Sequence, residues 1–326
     1  MFLKKRTYNQ SKDDVEKEEG GMKKTGRKRK IRNYLPLYAM LFPVLLWYLI
    51  FCYKPMTGIV LAFKNYRFDG GIWGSPWVGM DNFVKMLSDD EFLRSVKNTL
   101  IIGMGGIVLQ MPCAILLAIM INELRGKWSK KIFQTVVTFP HFISWVVLGG
   151  ILVNLFSSGG VVNQLLSSVG LPILEPLSHP HAFRWFIWLT NIWKEIGWDS
   201  IIYLAAITSI DQELYEAAEV DGANRLQRIW HITLTGIRPT IVIMLILAVG
   251  QLMNSGRFDQ IFNLYSPLVY STADTIDTFI FRETFTQGNL NFGYSTAIGL
   301  FKSVIGVVLL TVSNKISTAI GEQGLF

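Results

Sequence analysis

The chain has 326 residues, of which 50% are hydrophobic and only 17% charged. Soluble domains carry nearer ~25% charge, so the deficit argues for a membrane protein and excludes disorder, a collagen-like repeat and a disulfide scaffold. The formal net charge of +7 is unevenly placed: residues 1–34 hold 12 of the 31 Lys and Arg and five of the 24 acids, leaving 19 of each in a neutral body. The two cysteines, Cys52 and Cys113, sit in apolar runs where each serves as a small hydrophobe.

In the tail, Gly26-Arg27-Lys28-Arg29-Lys30-Ile31-Arg32 directly precedes a hydrophobic stretch starting at Leu35. That position suits a basic flank that keeps a helix end in the cytoplasm against anionic head groups, rather than a nucleic-acid site. Upstream, Gly21 to Arg27 has the glycine spacing of a phosphate loop, but Arg27 replaces the required Lys and no strand precedes it, so no ATPase site is expected here. The apolar run 35–53 is too long for the core of a cleaved leader and ends in Lys54-Pro55, so it reads as a retained first span.

A spanning helix needs ~20 largely apolar residues. Six segments qualify: 35–56, 99–121, 132–156, 185–207, 240–262 and 295–316. The expected fold is therefore all-α, an integral membrane bundle of six transmembrane helices. The basic tail, with Arg125, Lys127, Lys130 and Lys131 in the loop after the second span, places both termini in the cytoplasm. Pro112 and Pro140, together with glycines at 103, 105, 106 and 250, fit either tight packing or broken helices lining a cavity. Residues 64–81, rich in Gly and Trp, read as external turns at the interface, and 81–97 as one external amphipathic helix.

Between the fourth and fifth spans, Ser209 and Gln212 have capping-box spacing and 213–220 contains good helix formers. Gly222 then bends the chain, and a second helix with Leu226, Ile229 and Trp230 on one face runs back towards Pro239. Such a pair forms a compact lever: Ala217 and Ala218 permit close approach, Glu216 offers a charge, and Gly222 turns without a clash. A DNA-reading helix-turn-helix shares the pattern, but a loop pinned between two spans is badly placed to read DNA.

Glu216-Ala217-Ala218, then Asp221-Gly222-Ala223, then, with nine residues between it and Gly222, the run Ile232-Thr233-Leu234, resembles the hallmark of permease subunits of type I ATP-binding-cassette importers, the maltose-transporter-like family. Thr235 stands where that family usually has Pro, and Ile229 where it has an aromatic, with Trp230 adjacent. Phe139-Pro140-His141-Phe142-Ile143-Ser144-Trp145-Val146-Val147 and Val78-Gly79-Met80-Asp81-Asn82-Phe83 look like the carbohydrate branch, which handles oligosaccharides or polysaccharide fragments.

The resemblance implies a cytoplasmic tail at 1–34, a permease domain at 35–320 with its coupling loop at 209–239, a cytoplasmic C-terminus at 321–326, and location in the plasma or inner membrane. It assigns ATPase coupling to Glu216, Ala217, Ala218, Asp221, Gly222, Ala223 and Arg225. Implied partners are a second homologous permease, two ATPase subunits that bind ATP and Mg, an external or periplasmic solute-binding protein, and a carbohydrate. No cofactor is expected in this chain, and hydrolysis belongs to the ATPases.

Lys194, Glu195 and Asp199 fall near the middle of the fourth span, where a charge costs at least ~2.5 to 3.5 kcal/mol on insertion scales. Glu195 and Asp199 share a helix face, and Trp193 and Trp198 flank them, so the group suits a sugar stacked on an aromatic ring with its hydroxyls on carboxylates. The plainer alternative is a Lys194 ion pair serving only the bundle. Gln251, Asn254, Ser255, Arg257 and Asp259 add a polar stretch in the fifth span, and Lys302 a charge in the sixth. These charges also motivate two rival readings, an ion-coupled secondary carrier and a membrane-embedded enzyme using Glu195 and Asp199 as acid and base. His179-Pro180-His181 lacks companions for a metal, and no catalytic motif is present.

Overall fold

The computed structural model describes residues 34–254, 257–286, 291–322 and 324–325, all helices and connections without a named strand among them. The basic tail through residue 33 and Ser255 lie outside the described residues. The chain divides into two compact units, Met1–Val60 and Leu61–Phe326.

The described part of the first unit is helix α1 (Tyr34–Phe63), which ends just past the boundary. It is apolar all round and its large side chains are exposed, which suits a hydrocarbon environment or another protein rather than water. At Pro55, which lacks an N–H, the regular ladder fails: the helix widens over Leu49–Tyr53 and tightens over Lys54–Phe63.

In the second unit, α2 (Asp81–Ser88) is followed by α3 (Asp90–Glu123). The single helix expected over 81–97 is thus two. Asp89 is extended, and its carboxylate accepts from the amides of Glu91 (2.9 Å) and Phe92 (3.3 Å), starting a new helix that runs 34 residues through the expected second span. The expected third span is also broken. α4 (Lys127–Thr138) tightens into a turn at Phe139–Phe142, where Pro140 removes a donor, and Ser144 caps α5 (Trp145–Phe156) by accepting from the Val147 amide. α6 (Val161–Ser168) and α7 (Pro180–Thr208) follow.

After α7 come α8 (Gln212–Val220), α9 (Arg225–Gly236) and α10 (Arg238–Gly250), the last two meeting at 58° before Pro239. The expected fifth span stops at Gly250: a tight turn at Leu252–Asn254 separates it from α11 (Phe258–Leu264). α12 (Ile276–Phe281) and α13 (Phe292–Ala319) complete the chain, α13 enclosing the expected sixth span.

By length and composition, α1, α3, residues Trp145–Ser168 and α13 are apolar enough to cross a membrane, with the bent α9–α10 pair as a fifth. α7, at 29 residues, is ~43 Å long, but carries Arg184, Lys194, Glu195 and Asp199.

α3 is the spine of the second unit. It places Phe92 among Met253, Phe279, Tyr294 and Ile298, Ile102 among Phe183, Phe186, Ile187 and Ile261, and Ala114 and Ala118 among Tyr203, Ile207 and Ile237. At the Phe92 end, Arg282 pairs with Glu91 and Asp274, each at 2.9 Å, and Asn98 accepts from Arg184 at 2.7 Å while donating to the Asp274 carbonyl at 3.0 Å. These bonds tie the segment before α13 to the start of α3.

Candidate functional site

Two regions hold the expected functional residues. In the first, α8 and α9 form the angled pair anticipated from the sequence. The cap of α8 is Asp211, whose carboxylate accepts from the Glu213 amide at 3.0 Å; Ser209 instead closes α7, so the expected Ser209–Gln212 box does not form. Gly222 has φ of +77°, a conformation that costs any residue with a Cβ. Asn224 and Gln227 then build a reciprocal cap for α9.

Glu219 and Arg228 pair at 2.7 Å across the bend, and the Tyr215 and Thr233 hydroxyls meet at 2.9 Å, so the two helices are held as one body. Glu216 and Ala217 are exposed, Ala218 and Ala223 half-buried. Asp221, Gly222 and Arg225 are exposed as well. Leu214, Val220, Leu226 and Trp230 are bare apolar side chains, Val220 at 89% exposure. The expected shared face of Leu226, Ile229 and Trp230 is split: Ile229 turns inward against the cluster around Ile207 and Ile237, leaving the other two outside.

The second region separates what the sequence placed together. Asp199, Asn254 and Arg257 line a cavity of about 390 Å³ bounded by α3, α7 and the end of α10, with Gly106, Gln110 and Tyr203. Gln110 is its centre: its Nε2 donates to Asp199, while its Oε1 accepts from Asn191 Nδ2 (2.5 Å) and Arg257 Nη2 (3.2 Å). Arg257 is 9% exposed, and its buried Nη1 has no partner among the described residues.

Lys194 and Glu195 belong to a different cluster. Lys194, 4% exposed, donates to Glu195 Oε1 (2.7 Å) and the His141 carbonyl (2.8 Å), and His141 Nδ1 meets Glu195 Oε2 at 2.5 Å. The His141 ring lies flat on Trp198, centroids 4.3 Å apart. The Lys194 ion pair anticipated as the plainer alternative is present, and Glu195 is fully engaged. Trp193 lines another, apolar cavity of about 770 Å³ with Phe156, Trp185 and Leu189. Asp259 is exposed on α11, and Lys302 pairs with Asp277. Sequence reasoning missed Gln110 and His141. A glutamine inside an apolar run was the available sign of the first, and the broken helix at Pro140 of the second.

Described residues that are all helices and connections, several of the helices apolar and of membrane length, a polar cavity bounded by α3, α7 and the end of α10, and an exposed helix pair on one connection are the plan of a multi-pass transport protein of the plasma membrane. The family described as "Binding-protein-dependent transport system inner membrane component" matches residues 110–321, and the chain belongs to it. Protein LplB of Bacillus subtilis (strain 168) is 42% identical over 291 residues, 89% of this chain and 91% of that protein. The polygalacturonan/rhamnogalacturonan transport system permease protein YteP of the same organism is 39% identical over 308 residues, 93% of this chain and 95% of that one. Among solved structures, a chain of a bacterial alginate ABC transporter in complex with alginate pentasaccharide-bound periplasmic protein superposes with a TM-score of 0.82 at 42% identity, covering 91% of this chain and 99% of that one.

Proposed function

We propose that this chain is the membrane-spanning permease subunit of an ATP-driven importer that moves an oligosaccharide or polysaccharide fragment handed over by an external solute-binding protein. The observation that carries the reading is the exposed α8–α9 pair inside the family-matching stretch, held rigid by Glu219–Arg228 and turned by Gly222 at φ +77°. In this account Glu216, Ala217, Ala218, Asp221, Gly222, Ala223 and Arg225 form the surface gripped by an ATPase subunit. The bare Leu214, Val220, Leu226 and Trp230 supply the apolar contact that such a grip needs.

α7 is the remaining span, fourth in chain order, its charges tolerated because Lys194 and Glu195 pair and Asp199 faces a cavity. Both termini and the α8–α9 pair are cytoplasmic, consistent with Arg125 just before α4 and Lys127, Lys130 and Lys131 in its first turns. A second permease completes the translocation path, and two ATPase subunits hold ATP and Mg. Their closure moves α8–α9 as a body, and the bend to α10 passes the motion to the cavity. This is a two-state element biased by a partner's differential contacts. The saccharide's hydroxyls are received by Asp199 and Asn254.

Reconstitution of the complete assembly in vesicles tests the reading. Saccharide uptake should require ATP, the binding protein and hydrolysis-competent ATPases. Uptake that persists with inactive ATPases would refute it.

A further inference from the structure

We propose that the saccharide taken by this permease carries carboxylates, as a uronate oligomer does, and that Arg257 receives one of them in the cavity between α3 and α7. The proposal rests on the importer reading and narrows its substrate class.

The Arg257 guanidinium sits in a slot built for it. A Cβ at position 106 would collide with it, so the glycine in α3 is what lets a cation reach this depth. Once there, the group is poorly compensated. One nitrogen, Nη2, rests on the neutral Gln110 oxygen at 3.2 Å, and Nη1 is buried without a partner. Among the described residues no carboxylate lies within ion-pair distance of it. Asp199, the nearest candidate, is held by the opposite end of the same Gln110 side chain, so the amide stands between the two charges.

A buried cation without an anion is costly, and a guanidinium that lines a cavity with an open donor is relieved by a carboxylate entering that cavity. A carboxylate, the anionic group of a sugar acid, combines the charge with two oxygens that can take Nη1 and Nη2 together. Asp199 and Asn254, on the same wall, then accept from and donate to the neighbouring hydroxyls. A sugar acid presents both kinds of group on one ring, whereas a neutral sugar leaves the Arg257 charge unanswered.

The test is a reconstituted assembly supplied with oligogalacturonate or oligomannuronate and with the carboxyl-reduced, neutral form of each. Saccharide-stimulated ATP hydrolysis and uptake are both read. Since the binding protein is common to all assemblies, its own preference cancels when the acid-to-neutral ratio of a variant is divided by that of the native chain. R257Q is expected to lower the ratio roughly tenfold or more, the scale of a lost charge-assisted bond, at unchanged co-purification with the ATPases. R257K, which keeps the charge but not the fork, should fall between. An unchanged ratio in an assembled R257Q, or in R257K if R257Q does not assemble, overturns the proposal. So does a native assembly that handles the neutral forms as well as the acidic ones, an outcome that leaves the importer reading intact. If no saccharide, acidic or neutral, drives ATP-dependent uptake, both fall together.

Discussion

Gly222 offers a perturbation in which backbone strain and partner contact can be separated. Its φ is +77°, and a Cβ built there meets nothing within 4 Å. Gly222→Ala therefore adds only the left-handed backbone penalty, ~1 to 2 kcal/mol, with no collision. That shifts the population of the native bend roughly 5- to 30-fold, and a bend held also by Glu219–Arg228 and the Asn224–Gln227 cap should survive it. Gly222→Trp carries the same backbone penalty and projects an indole into space that the chain itself leaves empty. Any defect beyond that of the alanine variant must then come from what occupies that space in the assembly. Co-purification of the ATPase with tagged permease from membranes is the assay, with membrane insertion as control. The expected order is native above alanine, with tryptophan abolished and insertion equal in all three. Equal co-purification of the alanine and tryptophan variants would leave strain as the whole effect and refute the docking assignment.

Asp199→Ala should weaken saccharide-stimulated ATP hydrolysis with assembly preserved, whereas Trp193→Ala, on the separate apolar cavity, should leave stimulation near the native level; the reverse pattern would move the site. Glu195→Ala strands the nearly buried Lys194 and should destabilise the detergent-solubilised protein by ~3 to 5 kcal/mol, while a Lys194→Met/Glu195→Met pair recovers most of it, read from thermal denaturation. Burial raises the Asp274 carboxyl above its ordinary 3.8, against the pull of Thr278 and Arg282. The folded state therefore holds that proton more tightly than the unfolded one, and the contribution of Asp274 to stability falls as pH rises from 3.8 through the raised value. Asp274→Asn should flatten that part of the stability-against-pH curve, and an unaltered slope would contradict the assignment.

The features legible in the sequence were those written locally. Apolar runs located α1, α3, α10 and α13, and the spacing from Glu216 to Leu234 located the helix pair. Boundaries set by a single polar side chain were less visible, because Asp89 and Asp211 act as caps only through the extended backbone they adopt. The break at Pro140 was open to two readings until the Ser144 cap resolved it.

The polar cluster shows the limit more sharply. Glu195 and Asp199 are one helical turn apart on α7, yet one is enclosed by the turn carrying His141 and the other reaches across to Gln110, 89 residues away. Contacts of that range leave no trace in local periodicity, so Lys194, Glu195, Trp193 and Asp199 looked like a single site. Gln110 itself is unremarkable in a hydrophobic run until Asn191, Asp199 and Arg257 converge on it.

The most direct test of the central claim is a cross-linking measurement on the assembled complex, after replacing the free Cys52 and Cys113 with serine. A single cysteine at Val220, the most exposed apolar position of the pair, should form a disulfide with a cysteine placed on the ATPase surface, in a yield that changes when ATP is added. The absence of any cross-link from Val220, Leu214 or Leu226 in a complex that still transports would contradict the account.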